Sequence, residues 1–316
     1  MTVTMQADEL VRERHFAAMG TTAHVVVIGG APELIDVAVA RVEELESRWS
    51  RFRESSEISK LNQANGRPVW VSADTMQLVE RSIAAWRFTH GRFDPTVYHI
   101  LCESGYDQSF VDIQQLTDAD PAVAPHSAPG CGAIVVDSAA SVVRLPEGVG
   151  FDPGGIGKGL AADFIVEEIL DDGATGIMVN LGGDARVGGV PPTSEGWMLG
   201  IAHPTNPDAF CAVLSLDSGG VVTSTRAMRK WVRNGVEHHH LIDPNTGTSP
   251  ITELESVTIV ATEAWVAEAV AKAAFLAGPT NALPTIDALG CTGLVAFEGG
   301  HVEALSSLKP YMALTV

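Results

Sequence analysis

Apolar positions along the chain switch repeatedly between short continuous runs and helical spacing. TAHVVVIGG, residues 22–30, is an apolar run closed by glycines and predicts a strand. From Pro32 onward Ile35, Val39, Val42, Leu45, Trp49 and Phe52 recur every three or four residues, which places them on one face of a helix. SADTMQLVERSIAAWRFTHG predicts a second helix, with Ser72 as its N-cap, Leu78, Val79, Ile83 and Trp86 along the apolar side, and Gly91 closing it. AIVVDSAASVVRLP predicts a hairpin. A third helix follows, marked by Leu160, Phe164, Ile169 and Leu170 and ended at Gly173. TGIMVNLGG, GWMLGIAHP, CAVLSLDS and LESVTIVAT read as strands, EAWVAEAVAKAAFLAG as a helix, and GLVAFEGGHVEALSS as a closing hairpin. Strands and helices mix without strict alternation, which predicts an α+β fold, with mixed antiparallel sheets and packed helices, over a doubly wound parallel one. Residues 107–132, polar and rich in proline, read as a flexible excursion.

Composition narrows the partners. The chain has 316 residues and 46% hydrophobic residues, enough for a sizeable core in one two-lobed unit. Its formal charge of −19 opposes nucleic acid binding. Cys102, Cys131, Cys211 and Cys291 form no CxxC pair, a pattern that suits reduced thiols in a cytoplasm. No window is long and apolar enough to cross a bilayer, so no membrane partner is expected.

Five stretches could carry chemistry. In FDPGGIGKGLAAD, residues 151–163, glycines and Lys158 precede a helix, and free amides with a nearby cation can cradle a phosphate. A P-loop is excluded, because Asp152 stands where its first glycine belongs and Gly159 where its Ser or Thr belongs. A dinucleotide fingerprint on Gly157, Gly159 and Ala162 lacks its strand, and a simple capping turn remains the alternative. VNLGGDARVGG lets a ligand approach the backbone at Gly182 and Gly183, or is a strand-end bulge. FDPTV, residues 93–97, is by itself an Asp-Pro turn, and AMGTTAHV opens the first strand. In EHHHLIDPNTGTSP, residues 237–250, His238 and His240 share one face of an extended strand while His239 faces the other way, and Asp243 to Gly247 form a turn. An imidazole beside a phosphate cradle can protonate a leaving phosphate or polarise a phosphoryl oxygen.

Taken in order, these stretches resemble the ApbE family of FAD:protein FMN transferases, from about residue 16 to the C-terminus. The resemblance implies a T-fold-like tandem-repeat architecture, FAD as ligand, magnesium as metal, and FMN transfer to a Thr or Ser hydroxyl of an acceptor flavoprotein with release of AMP. A FAD-binding or storage protein with little turnover, or a metal-dependent FAD pyrophosphatase, are the alternatives. It further implies that Met19, Asp94, Pro95 and Thr96 line the flavin pocket, and that Asp152 holds FAD. Gly182 and Gly183 are expected near the nucleotide, Asp243 and Thr246 in the segment that binds it, Lys158 on the phosphates, and His240 at the diphosphate. His238 and His239 are left to packing or surface. The implied metal site departs from the family pattern beside Gly155, because Glu268 stands where an Asp is usual and Lys272 where a Thr is usual: either Glu268 with Gly155 still holds Mg²⁺, or the Lys272 ammonium replaces the ion, with a surface i,i+4 ion pair as the alternative. Ser224-Thr225-Arg226-Ala227 also departs from the usual Ser-Gly followed by an aromatic.

Overall fold

The run Val25–Ile28 is apolar without a break because it is buried on both sides, in the middle layer of three. The computed structural model describes residues 10–108, 124–206, 208–233 and 235–315. Among these residues the elements run β1 (Val11–Ala18), β2 (Thr21–Ile28), α1 (Leu34–Trp49), α2 (Glu57–Gln63), β3 (Val69–Trp70), α3 (Ala73–Phe88), α4 (Tyr98–Glu103), β4 (Val135–Asp137) and β5 (Val142–Arg144). Then come α5 (Gly157–Asp171), β6 (Gly176–Leu181), β7 (Asp184–Gly189), β8 (Trp197–Ala202), β9 (Phe210–Leu216), β10 (Gly219–Thr225), β11 (Lys230–Arg233) and β12 (Val236–His239). The chain closes with β13 (Leu254–Ala261), α6 (Ala264–Leu276), α7 (Ala282–Ala288), β14 (Thr292–Phe297), β15 (Val302–Ala304) and β16 (Met312–Thr315).

Eight strands form one antiparallel sheet in the order β1-β2-β6-β7-β10-β13-β14-β15. Because side chains alternate along a strand, Val25 and Val27 face a core shared with α1, α3 and α5, while Val26 and Ile28 face the small sheet β16-β9-β8. The helix α6 is apolar nearly all round, since it lies against β10 and β13 on one side and α5 on another. The fold is therefore α+β, as expected. No helix among the described residues is long and apolar enough to cross a membrane.

The predicted helices and both hairpins form. Ser72 caps α3 by accepting from the Thr75 amide, and Gly173 ends α5 with φ 98°. One expected helix is shorter: α1 stops at Trp49, so Phe52 leaves the helical face and is 42% exposed beside the candidate site. β1 was not expected, because as an edge strand with exposed Arg and Glu it carries little apolar signal. Residues 109–123 of the expected excursion lie outside the described residues. Nearer its end, the Ala128 amide donates to Pro244 O at 2.7 Å and the Gly130 amide to Thr96 Oγ1 at 2.9 Å, which ties this stretch to two turns that back the site.

Candidate functional site

A cavity of about 420 Å³ is lined by the β1–β2 turn, the loop after α1, the FDP turn after α3, the glycine turn before α5, the segment after β12, and the side of α6 that carries Lys272. Its volume falls in the range of pockets that enclose a small ligand. Met19, on the β1–β2 turn, holds a left-handed φ of 51°, a backbone cost that a non-glycine residue bears only where its surroundings fix it.

The cavity reverses the sign of the protein. Arg51, Arg53, Arg92, Lys158, Arg229 and Lys272 line it, against Glu46, Asp94 and Asp152. Six basic and three acidic side chains line it in a chain of net charge −19, and with Asp184 and Glu268 paired to the two lysines from beneath, one positive charge remains in excess. Among the described residues Arg92 and Arg229 have no carboxylate partner, so their charge is available to an anion.

Beneath the glycine turn lies a closed set of four charges. Lys158 Nζ donates to Asp184 Oδ2 and, at 3.0 Å, to Glu268 Oε1. Lys272 Nζ donates to the same Glu268 oxygen at 3.1 Å. The Gly159 amide donates to Glu268 Oε2 at 2.8 Å. Glu268 is 0% exposed; burial alone would raise its carboxyl, but Lys158, Lys272 and the Gly159 amide outweigh that and hold it at about 2. Burial also works to lower the Lys158 ammonium, yet Asp184 and Glu268 together raise it above the ordinary lysine value. Lys272 settles below that value, because burial and the Lys158 charge outweigh Glu268. Burial raises the Asp184 carboxyl against the pull of Lys158.

Two backbone features bring these charges together. Gly159 sits where α5 crosses α6 so closely that a Cβ would lie 2.6 Å from Ala264 O. The Asp163 carboxylate then accepts from the Ala264 and Trp265 amides at 2.8 and 2.9 Å, satisfying the free N-terminus of α6. One face of α5 thus fixes both the start of α6 and, through Gly159, its Glu268.

A second cluster forms another wall. The Arg51 guanidinium lies 4.4 Å from the ring centroids of both Phe52 and Tyr106, and its Nε pairs with Asp152 Oδ2 at 3.1 Å. Asp152 Oδ1 accepts from the Gly154 amide at 2.6 Å, so the glycine turn is shaped by the residue expected to hold the ligand. Asp94 Oδ1 likewise accepts from the Thr96 amide and hydroxyl at 2.8 and 2.6 Å. Burial raises Asp94 above the ordinary aspartate value, with Thr96 and the Trp86 indole opposing.

The three histidines have three surroundings. His238 stacks on Trp231 at 5.9 Å. His239 is buried edge-on against Phe275, with Nε2 3.2 Å from Pro250 O. His240 lines the cavity, and burial, then Arg229 and Lys272, push it well below the ordinary histidine value. The ring is therefore neutral at neutral pH. Of the two roles read from the sequence, the surroundings favour polarising over protonating, because no imidazolium is at hand.

Of the residues expected in the site, Met19, Asp94, Pro95, Asp152, Gly155, Lys158, His240 and Lys272 line the cavity. Thr96, Gly182, Gly183, Asp243, Thr246 and Glu268 do not. Thr96 braces Asp94, and Glu268 lies below the surface. Gly182 and Gly183 form the β6–β7 turn with φ 68° and 98°, which aligns Asp184 under Lys158. Asp243 Oδ1 accepts from the Asn245 amide at 2.9 Å and Thr246 bonds Thr248 at 2.9 Å, so both shape the turn behind His240. The phosphate cradle expected at the start of α5 is corrected in one respect: the Gly159 amide is given to Glu268. Sequence reasoning passed over Arg51, Tyr106, Asp184 and Arg229; only the Asp following two glycines in VNLGGD carried a local signal. Glu13, His15 and His24 gather their ligand atoms on the β1–β2 hairpin, but none of them lines the cavity.

The match to known proteins covers all of these walls. The model of the ApbE family matches residues 19–295. The chain belongs to the ApbE family. Its relatives include proteins named FAD:protein FMN transferase from Haemophilus influenzae, 26% identical over 92% of this chain and 88% of that protein, and from Treponema pallidum, 29% identical over 78% and 74%. Among solved structures, the ApbE protein of Thermotoga maritima superposes with a TM-score of 0.81 at 27% identity, covering 96% of this chain and all of that one. The flavin transferase ApbE of Vibrio cholerae, at 22% identity and a TM-score of 0.78, shares the fold.

Proposed function

We propose that this ApbE-family protein binds FAD in the cavity and transfers its FMN moiety to a hydroxyl of an acceptor flavoprotein, releasing AMP. The observation that carries this reading is the convergence of six basic side chains, a neutral imidazole and an aromatic–guanidinium wall on one cavity of a strongly acidic chain. A flavin dinucleotide has that shape of demand: a flat π system at one part and a diphosphate at another. The Arg51–Phe52–Tyr106 wall offers stacking surface and Met19 an apolar contact, while Lys158, Lys272 and Arg229 surround the place for the diphosphate.

In the transfer, the acceptor hydroxyl oxygen forms a bond to the flavin-side phosphorus. The bond from that phosphorus to the bridging oxygen breaks, and AMP leaves with the electron pair. The neutral His240 ring can take up the hydroxyl proton or hydrogen-bond a phosphoryl oxygen. Lys158 and Lys272 counter the charge that builds on the phosphoryl oxygens. Gly154 and Gly155 let the turn pack against its own neighbours, since a Cβ would come within 2.7 Å of Asp152 Oδ1 at Gly154 and of Phe93 at Gly155.

Magnesium, which the family resemblance implies, does not fit these residues. Both oxygens of Glu268 already accept hydrogen bonds, Asp184 accepts from Lys158, and Lys272 offers a cation where a neutral ligand would be needed. No step above passes through it.

The test is incubation of the purified protein with FAD, alone and with candidate flavoproteins, followed by chromatography and in-gel flavin fluorescence. AMP together with protein-linked flavin is the expected result. AMP with free FMN would make the protein a pyrophosphatase, and bound intact FAD without AMP a storage protein.

A further inference from the structure

We infer that the Lys272 ammonium is the resident cation of this site, so that the protein binds and cleaves the FAD diphosphate without a divalent metal. The inference rests on the FAD reading above and deepens it.

Three observations converge. The first is charge. Glu268 and Asp184 carry two negative charges and Lys158 and Lys272 two positive ones, and the four are joined by hydrogen bonds. A site that is already neutral has no net attraction for a divalent ion, and such an ion at Glu268 would lie beside two ammonium groups. The second is ligand capacity. Glu268 Oε1 accepts from both lysines and Oε2 from the Gly159 amide, whereas a hard cation such as magnesium demands about six oxygens in near-octahedral array. The third is space. A Cβ built on Gly155 would come within 3.3 Å of Lys272 Cδ and 3.4 Å of Cε, so the lysine stem lies across the turn that a metal would use.

Lys272 also has the reach for the role. It lines the cavity on one side and is anchored on Glu268 on the other, so two of its three N–H bonds remain for phosphoryl oxygens. Lys158 instead spends two of its three on Asp184 and Glu268. A lysine supplies charge and hydrogen bonds to the phosphoryl group but no Lewis-acid coordination, which defines the difference an experiment can read.

The experiment compares the full chain with Lys272→Thr. FAD affinity is read by flavin fluorescence, AMP release by chromatography, and metal occupancy by electron paramagnetic resonance of Mn²⁺. The native chain should bind FAD and release AMP equally in chelator and in Mg²⁺, and should hold no tightly bound Mn²⁺. Lys272→Thr leaves one net negative charge. In chelator it should bind FAD about ten- to a hundredfold more weakly, the value of one charge-assisted hydrogen bond, and it should gain one Mn²⁺ site whose filling restores the affinity. Loss in chelator of FAD binding, or of AMP release that Mg²⁺ restores, would overturn the inference, as would one tightly held Mn²⁺ per chain that persists when the distant Glu13–His15–His24 cluster is removed by His24→Ala. If the native chain binds FAD in chelator but yields no AMP under any condition, the transferase reading falls while the metal-free binding stands. If the variant does not fold, the native chain in chelator and its Mn²⁺ spectrum still decide.

Discussion

Replacing Glu268 by Gln tests whether the four-charge cluster stabilises the fold as its geometry indicates. The substitution keeps the side-chain size and an oxygen for the Gly159 amide, and removes the charge that both ammonium groups share. The carboxyl is fully buried, and lies at about 2 in the fold against an ordinary value of 4.5. At about 1.4 kcal/mol per pH unit, that difference is worth about 3 kcal/mol. Breaking one partner of a buried ion pair costs about 3–5 kcal/mol by a separate route, so the two agree. Because the folded value is depressed, this stability is present above about pH 4.5 and is lost as the pH falls towards 2. Denaturant unfolding near neutral pH should show Glu268→Gln less stable by about 3–5 kcal/mol, and its melting temperature lower by about 5–8 °C. The loss should shrink in acid. A second variant fixes the cause: Glu268→Gln leaves the cluster with one net positive charge, and adding Lys272→Met returns it to neutrality. The double variant should therefore be more stable than Glu268→Gln alone. A single-variant loss under about 1 kcal/mol, or a double variant no better than the single, would refute the reasoning.

Three further outcomes follow from the same geometry. Gly159→Ala forces a Cβ to within 2.6 Å of Ala264 O, a backbone atom that cannot swing aside, so the melting temperature should fall with a loss of about 1–3 kcal/mol; an unchanged melt would deny the close α5–α6 crossing. Arg51→Met removes the partner of Asp152 and the cation between Phe52 and Tyr106, so FAD affinity measured by fluorescence titration should drop by about tenfold or more, and full affinity would remove this wall from the site. His240→Ala should cut AMP release by about a hundredfold or more while FAD still binds, and the native rate should hold from pH 7 to pH 6, because the ring stays neutral until well below 6.5; a rate that falls with a midpoint near 6.5 would contradict this. The same depression means that the unfolded chain takes up the His240 proton first, so the contribution of this residue makes the fold less stable as the pH drops below about 6.5.

Much of this protein could be read from local pattern. Periodic apolar spacing marks α1, α3 and α5, since a helix buried on one side must repeat its contacts every three or four residues, and a long, nearly unbroken apolar run marks the enclosed α6. The unbroken run Val25–Ile28 marks a strand covered on both faces, and paired glycines mark the turns. The order of FDPTV, FDPGGIGKG, VNLGGD and HLIDPNTG carried the family, because each is a backbone conformation that few residues can adopt. Pattern fails where a partner is distant in the chain. Lys158 meets Asp184 across 26 residues and Glu268 across 110, and nothing in the surroundings of any of the three announces the others. Phe52 fits the helical spacing of α1 yet becomes a cavity wall, because the helix ends at Trp49 and the chain turns. β1 hides in polar residues because an edge strand needs only hydrogen bonds on one side and little apolar cover. Local propensity thus set the elements and the turns, which depend on neighbours a few residues apart. The place of Lys272 could be expected from its departure from the family pattern, but the charge balance at Glu268 and the neutrality of His240 arose only when folding excluded water and set those groups against one another.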